Sequence, residues 1–154
     1  MRQILQQAVV PALRDLQFRG TMPHFFRQRG ERVDLMSIQF SYQGQHFFVN
    51  LGRLELARDA AGQVSKPTKE QLNVANSPLD QRVRLAVGTM PQRLGGATFP
   101  GFDAWDFTAE TDTEADALMQ RLAHRLCEFL KSYADPWWRD KELRGDLPPR
   151  NVGP

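Results

Sequence analysis

The sequence predicts a single α+β domain, in which helices from both ends of the chain cover one face of an antiparallel sheet. Three observations predict this class: an amphipathic N-terminal segment, strand-like segments between residues 24 and 55, and a long apolar stripe at helical spacing over 113–133. We expect a meander of about five strands. Because 154 residues suit one compact core, we expect the domain to cover residues 1–146, followed by a flexible tail over 147–154.

The N-terminal helix is predicted from the spacing of its apolar residues over residues 3–17. They recur three or four positions apart, so they share one face of a helix: Ile4, Leu5, Ala8, Val9, Ala12, Leu13 and Leu16. Pro11 falls inside this pattern and is expected to kink or interrupt the helix. Gly20 and Pro23 then indicate a turn.

A strand meander follows, with strands predicted at 24–29 and 32–42 around a turn at Gly30-Glu31. The next hairpin is predicted to turn at Gln43-Gly44, so that residues whose numbers sum to 87 face each other across its ladder. On one face this register pairs apolar residues, and at its rim it pairs opposite charges. The pairs are Phe40 with Phe47, Ile38 with Val49, Met36 with Leu51, Asp34 with Arg53 and Arg32 with Glu55.

The second face of the hairpin carries short polar groups around one aromatic ring. A sheet face of this kind is ordinarily exposed to solvent. Amides and hydroxyls on a rigid sheet can also recognise a ligand or partner. If the chain has a binding site, we therefore expect it here, with Arg84 from the next strand, and the candidate residues are Ser37, Gln39, His46, Phe48, Asn50 and Arg84.

The second half of the chain is predicted to alternate loops with short elements and to end in helices. Residues 57–79 are predicted to be a long surface excursion, 81–87 a half-buried strand, 89–102 a loop, and the segment around Trp105 a short closing strand. Thr111 with Glu114, and Thr113 with Asp116, both have capping-box spacing, and we expect a helix over 113–133. Asp135-Pro136 is typical of the start of a last short helix.

Several functional classes find little support in the sequence. The three histidines His24, His46 and His124 are far apart and show no zinc-ligand spacing, so we expect no metal and no cofactor. Cys127 adjoins the apolar stripe and is predicted to be an inert packed thiol. The single cysteine favours a cytoplasmic location. We expect no membrane partner, because no apolar run is long enough to span a bilayer.

The net charge of +2 is too small to indicate nucleic acid strongly. A basic cluster with interleaved aromatics near the first turn of the meander keeps weak nucleic-acid binding as an alternative. It comprises Arg19, Arg27, Arg29 and Arg32 with Phe25 and Phe26.

Short stretches from about residue 9 to about residue 135 resemble the domain-of-unknown-function family numbered 4304, small proteins found widely in bacteria. The matching stretches are "PALRDLQFRG", "FFRQRG", "IQF", "FFVNLG", "RVRLAV", "AWDF" and "CEFLKSYAD". The resemblance implies an α+β fold with helices on an antiparallel sheet, and it implies no activity.

The absence of a complete catalytic or metal constellation favours a non-catalytic binding module, such as a neutraliser or adaptor protein. We expect its partner to be another protein, bound through the polar sheet face or through the acidic segment around the start of the long helix. The other alternative is a small enzyme whose pocket on the polar face would bring Arg84 and Trp105 together. The oligomeric state is left open by the sequence.

Overall fold

The structure is a computed structural model that describes residues 2–42, 46–85, 92–94, 97–99, 105–106 and 109–139. The α+β class is confirmed. Along the chain, a meander sheet follows an N-terminal helix and precedes a C-terminal helical segment. The tail predicted over 147–154 lies outside the described residues.

The first helix, α1, spans Arg2–Asp15 and buries Leu5, Val9 and Leu13. It runs through Pro11 without a break, so the chain does not restart there. The helix ends where Gln17 adopts a left-handed conformation with φ of 67°. The amide of Phe18 then donates to the carbonyl of Leu13 at 2.8 Å, which closes a Schellman-type end and turns the chain towards the sheet.

Within the described ranges, the main sheet contains six strands. Its path runs β1 (Arg19–Thr21), β2 (His24–Arg29), β3 (Arg32–Phe40), β4 (His46–Glu55) and β5 (Arg82–Leu85), all antiparallel. The short strand β8 (Trp105–Asp106) pairs with the start of β4, beside β5. Strand β1 occupies a segment for which the sequence predicted only a turn, and its Gly20 has a φ of 96°.

The predicted register of the β3–β4 hairpin is confirmed from Arg32 opposite Glu55 to Phe40 opposite Phe47. Ile38 and Val49 are fully or almost fully buried on the helix-covered face. Asp34 and Arg53 face each other as predicted, but this pair does not lie at the rim of the sheet. Both residues are buried, because the last helical segment covers this end of the sheet.

A small separate hairpin lies within the segment predicted to be a loop. It is formed by β6 (Gln92–Leu94) and β7 (Ala97–Phe99). The glycines and prolines around it indicate breaks in regular structure, so the sequence pattern predicted a loop here. The two strands have only three residues each, too few to show against that pattern. Residues 86–91 lie outside the described ranges, so the end of the strand predicted over 81–87 is described only to Leu85.

The long C-terminal helix, α2, spans Asp112–Phe129 and begins at the predicted capping box of Thr111 and Glu114. A π-helical segment (Leu130–Ala134) follows, and α3 (Asp135–Arg139) continues from it directly. The last helix is therefore an extension of the long one, and Asp135 does not cap a new start. Buried residues on α2, the π-helical segment and α3 pack with α1 on the sheet.

A second, smaller core covers part of the opposite face of the sheet. Residues 57–81 cross that face with two 3-10 turns, Val74–Asn76 and Leu79–Gln81. Val74 and Leu56 pack there against the buried side chains of Val33 and Leu35. The face predicted to be polar is thus apolar and covered at one end. Among the described helices, every one is too short or too polar to cross a bilayer.

Candidate binding surface

The predicted site residues lie together on the second sheet face, at the end away from the second core. Ser37, Asn50 and Arg84 form one row across β3, β4 and β5, because the register pairs Ser37 with Asn50 and Asn50 with Arg84. Gln39 and Phe48 form the next row. We call this surface the β-face patch and define it by Ser37, Gln39, His46, Phe48, Asn50 and Arg84.

Arg84 contacts two other residues of the β-face patch. Its Nε donates to Oδ1 of Asn50 at 3.1 Å, and its guanidinium carbon lies 4.4 Å from the centre of the Phe48 ring. A cation above an aromatic face is attracted by the negative potential of that face. Burial lowers the pKa of Arg84, although the group remains a cation at neutral pH. The patch therefore presents a fixed, partly desolvated positive charge.

His46 extends the patch beside Phe48. The two rings meet edge to face, with their centres 5.4 Å apart and an angle of 84° between their planes. This geometry is a favourable one for an aromatic pair. His46, Phe48, Asn50 and Arg84 are all half-buried, so packing limits the motion of each side chain.

Two predicted members of the patch differ in accessibility. Gln39 is exposed. Ser37 is only 8% exposed, so it forms part of the floor of the patch. Its hydroxyl is correspondingly less accessible than the sequence indicated.

At the other end of the sheet lies a buried charge cluster that no local sequence pattern indicates. Arg27 donates from Nε to Oδ2 of Asp34 at 2.9 Å and from Nη2 to Oδ1 of Asp135 at 2.8 Å. Asp34 also pairs with Arg29 at 2.7 Å, and Asp135 accepts from Nε of Arg139 at 2.7 Å. The result is a chain of alternating charges that joins β2, β3 and α3.

Aromatic rings enclose this buried charge cluster. The guanidinium of Arg27 lies 4.7 Å from the ring centre of Phe18 and 5.6 Å from that of Trp138, and Arg53 lies 4.0 Å from the ring centre of Trp137. Burial raises the pKa of Asp34, while Arg27 and Arg29 oppose that shift. Because Arg27 is only 5% exposed, it is a structural cation. The basic cluster proposed as a nucleic-acid contact therefore does not form one continuous surface.

The remaining candidate residues do not converge on the patch. Trp105 is 1% exposed and stacks on Phe47, with ring centres 5.6 Å apart, so it lies in the helix-covered core away from Arg84. Cys127 is half-buried, its Sγ lies 3.5 Å from the carbonyl oxygen of Ala8, and burial raises its pKa. His124 is exposed beside Glu128 on α2. Within the described residues, no three His, Cys, Asp or Glu side chains are grouped as metal ligands.

The chain was compared with family models, curated proteins and solved structures. The family model described as "Domain of unknown function (DUF4304)" matches residues 9–140, most of the chain. The chain belongs to the DUF4304 family. The matched range includes every residue of the β-face patch and of the buried charge cluster. No curated protein and no solved structure matches the chain, so the DUF4304 assignment describes a fold and leaves the activity to be argued from the site.

Proposed function

We propose that this chain is a non-catalytic binding module that recognises another protein through the β-face patch and acts as a neutraliser or adaptor. The observation that carries the proposal is the position of Arg84, held by Asn50 on one side and by Phe48 on the other. Arginine and large aromatic residues supply much of the binding energy in protein interfaces. Here they are adjacent and already ordered.

Preorganisation is the physical reason why such a patch favours binding. A free arginine side chain loses much rotamer freedom when a partner immobilises it, and that loss reduces affinity. In the patch Arg84 is already fixed by its contacts with Asn50 and Phe48. We therefore expect the partner to place a carboxylate or carbonyl oxygen against Arg84 and His46, and an apolar group against Phe48.

The chemistry of the patch supports recognition more than turnover. Gln39 and Asn50 carry amides, which act neither as acids nor as bases near neutral pH. The one hydroxyl, on Ser37, lies in the floor of the patch, and general-base activation of a nucleophile would need a base within hydrogen-bonding reach of it.

The thiol of Cys127 supports a reducing location, and we place the protein in the bacterial cytoplasm.

A photo-crosslinking experiment in the native host tests the proposal. A benzophenone side chain would replace Gln39 at the edge of the β-face patch, and the matched control would place it at the exposed Gln120 on α2. We expect a discrete protein adduct at position 39 only. Excess wild-type protein should compete it away, whereas the Arg84→Gln and Phe48→Ala variants should compete poorly.

Equal adducts at positions 39 and 120, or equal competition by all three proteins, would contradict the proposal. A catalytic activity that is abolished by the single substitution Asn50→Ala, in a protein that stays folded, would also overturn it. Circular dichroism and thermal melting of each variant establish that the fold is retained.

A further inference from the structure

An open groove of about 430 Å³ lies at the end of the sheet that carries the β2–β3 turn. It is bordered by that turn, by the end of β4 and by α3. Four arginines and two glutamates line it: Arg29, Glu31, Arg32, Glu55, Arg58 and Arg139. We call it the arginine groove, and its lining has an excess of two positive charges.

The two glutamates of the arginine groove are already paired with two of its arginines. Arg32 donates from Nε to Oε1 of Glu55 at 3.0 Å and from Nη1 to the carbonyl oxygen of Trp138 at 3.1 Å. Arg58 pairs with Glu31 and donates from Nη1 to the carbonyl oxygen of Gly62. The acidic lining is therefore neutralised. Arg29 and Arg139 share the carboxylates of Asp34 and Asp135 with Arg27, so three cations face two anions there and one positive charge remains in excess.

Arg29 and Arg139 are both held by ion pairs with the aspartates of the buried charge cluster. Nη2 of Arg29 contacts Asp34, and Nε of Arg139 donates to Asp135, while Arg27 bridges the two carboxylates. A guanidinium carries five N–H donors. Among the described residues each of these two side chains has one polar contact, so most of its donors are not used within the fold.

The environment of Arg29 also favours an added negative charge. Burial lowers the pKa of Arg29, and the nearby charges of Arg27 and Arg139 act in the same direction against the attraction of Asp34. Its side chain is 31% exposed and so remains accessible from the groove. An anion in the groove would offset both the desolvation and the repulsion between the cations.

We propose that the arginine groove binds a phosphate-type oxyanion, with Arg29 and Arg139 as its principal donors. Planar guanidinium groups match the oxygens of a phosphoryl group and can form two parallel hydrogen bonds with it. The phosphoryl group can belong to a free phosphate compound or to a phosphorylated side chain of a protein. Both sources present the same tetrahedral oxygens to the groove.

The arginine groove is separate from the β-face patch. Arg32, in the groove, and Gln39, in the patch, lie seven positions apart along β3, or about 24 Å at the usual rise of a strand. The inference is therefore independent of the proposed function, and the two can fail separately.

Calorimetric titration at constant ionic strength tests the inference. The probes are inorganic pyrophosphate and a blocked phosphoserine peptide, both titrated in sulfate-free buffer. An injection of buffer alone is the blank, and the unphosphorylated peptide is the control for the phosphopeptide. We expect Arg139→Gln to weaken binding about tenfold, because it removes charge-assisted hydrogen bonds. The matched control is Arg121→Gln, on the exposed face of α2, which should bind as the wild type does.

A second variant, Arg29→Lys, retains the charge beside Asp34 and removes the planar fork. It should also weaken binding while the thermal melting temperature stays close to that of the wild type. Preference for pyrophosphate would identify a free phosphate compound as the ligand, and preference for the phosphopeptide would identify a protein source. Absence of binding by both probes, or equal losses in Arg139→Gln and Arg121→Gln, overturns the inference.

Discussion

Arg27 shows how single residues in this protein combine structural and electrostatic roles. It forms ion pairs with Asp34 and Asp135, donates from Nη1 to the carbonyl oxygen of Leu16, and lies against two aromatic rings. One side chain therefore links the end of α1, two strands and α3. A buried ion pair contributes little net stability by itself, but loss of one partner leaves a charge buried without compensation.

We expect Arg27→Met to lower the free energy of unfolding by about 3–5 kcal/mol. The methionine fills much of the volume, but Asp34 loses its main counter-charge in a buried position. Urea denaturation followed by circular dichroism measures the loss. The control is Arg121→Met at an exposed position, which should change stability by less than about 0.5 kcal/mol. Equal effects of the two substitutions would show that the buried charges are compensated in another way.

The rate of alkylation of Cys127 tests how the ionisation of its thiol depends on pH. Only the thiolate reacts with iodoacetamide, and burial raises the pKa of this thiol, so the folded protein should hold less thiolate at neutral pH than an ordinary exposed cysteine. We expect slow alkylation that accelerates as the pH rises past the usual thiol range. Mass spectrometry of timed samples measures the rate, and a urea-unfolded sample is the reference. Faster alkylation of the folded protein would contradict the raised pKa.

At the scale of elements, the start of α2 is defined by side chains within one turn. The Thr111 hydroxyl accepts from the amide of Glu114 at 3.3 Å, and the Glu114 carboxylate accepts from the amide of Thr111 at 3.2 Å. These bonds satisfy two backbone donors that a helix start otherwise leaves unpaired. The acidic residues here are therefore explained partly by capping and by the positive end of the helix.

We expect Thr111→Ala to destabilise the protein by about 1 kcal/mol. Thr113 is the matched control, since it had the same spacing to an acidic residue but lies inside α2 and is exposed. Thr113→Ala should be neutral or slightly stabilising, because alanine has the higher helix propensity. Chemical denaturation of both variants shows which threonine caps the helix. A larger loss of stability in Thr113→Ala than in Thr111→Ala would mean that the helix begins at Thr113.

At the scale of the whole molecule, the sheet is covered on both faces but by different means. The helices bury one face along the length of the hairpin, whereas residues 57–81 bury only one end of the other. Gly52 lies where the second cover is closest, since a Cβ there would come within 2.7 Å of the Ser77 hydroxyl. The long excursion is thus a packed part of the fold, and its contacts in the second core do not extend to the β-face patch.

Val74→Ala should lower the free energy of unfolding by about 2 kcal/mol, because it removes buried methyl groups from the second core. Leu79→Ala, in the same excursion but 78% exposed, should have an effect below about 0.5 kcal/mol. Thermal and urea unfolding compare the two variants. A negligible effect at Val74 would mean that the excursion contributes no packing energy.

Features of the fold that depend on residues close together in the sequence could be predicted, whereas contacts between distant segments could not. The hairpin register was predictable because a shift of one residue would mix the side chains of the two faces. The β-face patch followed from that register. The Arg27–Asp135 contact joins residues 108 positions apart, and nothing local in either segment indicates it. Likewise, β1 and the β6–β7 hairpin are too short to show an alternating pattern.

The tryptophans give the molecule an internal optical reporter. The chain has three, and all are at most 1% exposed: Trp105, Trp137 and Trp138. Two of them sit on α3, where the indole nitrogen of Trp138 donates to the carbonyl oxygen of Gly52 at 3.1 Å. Detachment of α3 would transfer both indoles to water, so a red shift in intrinsic fluorescence would report the release of the C-terminal helical segment without any added label.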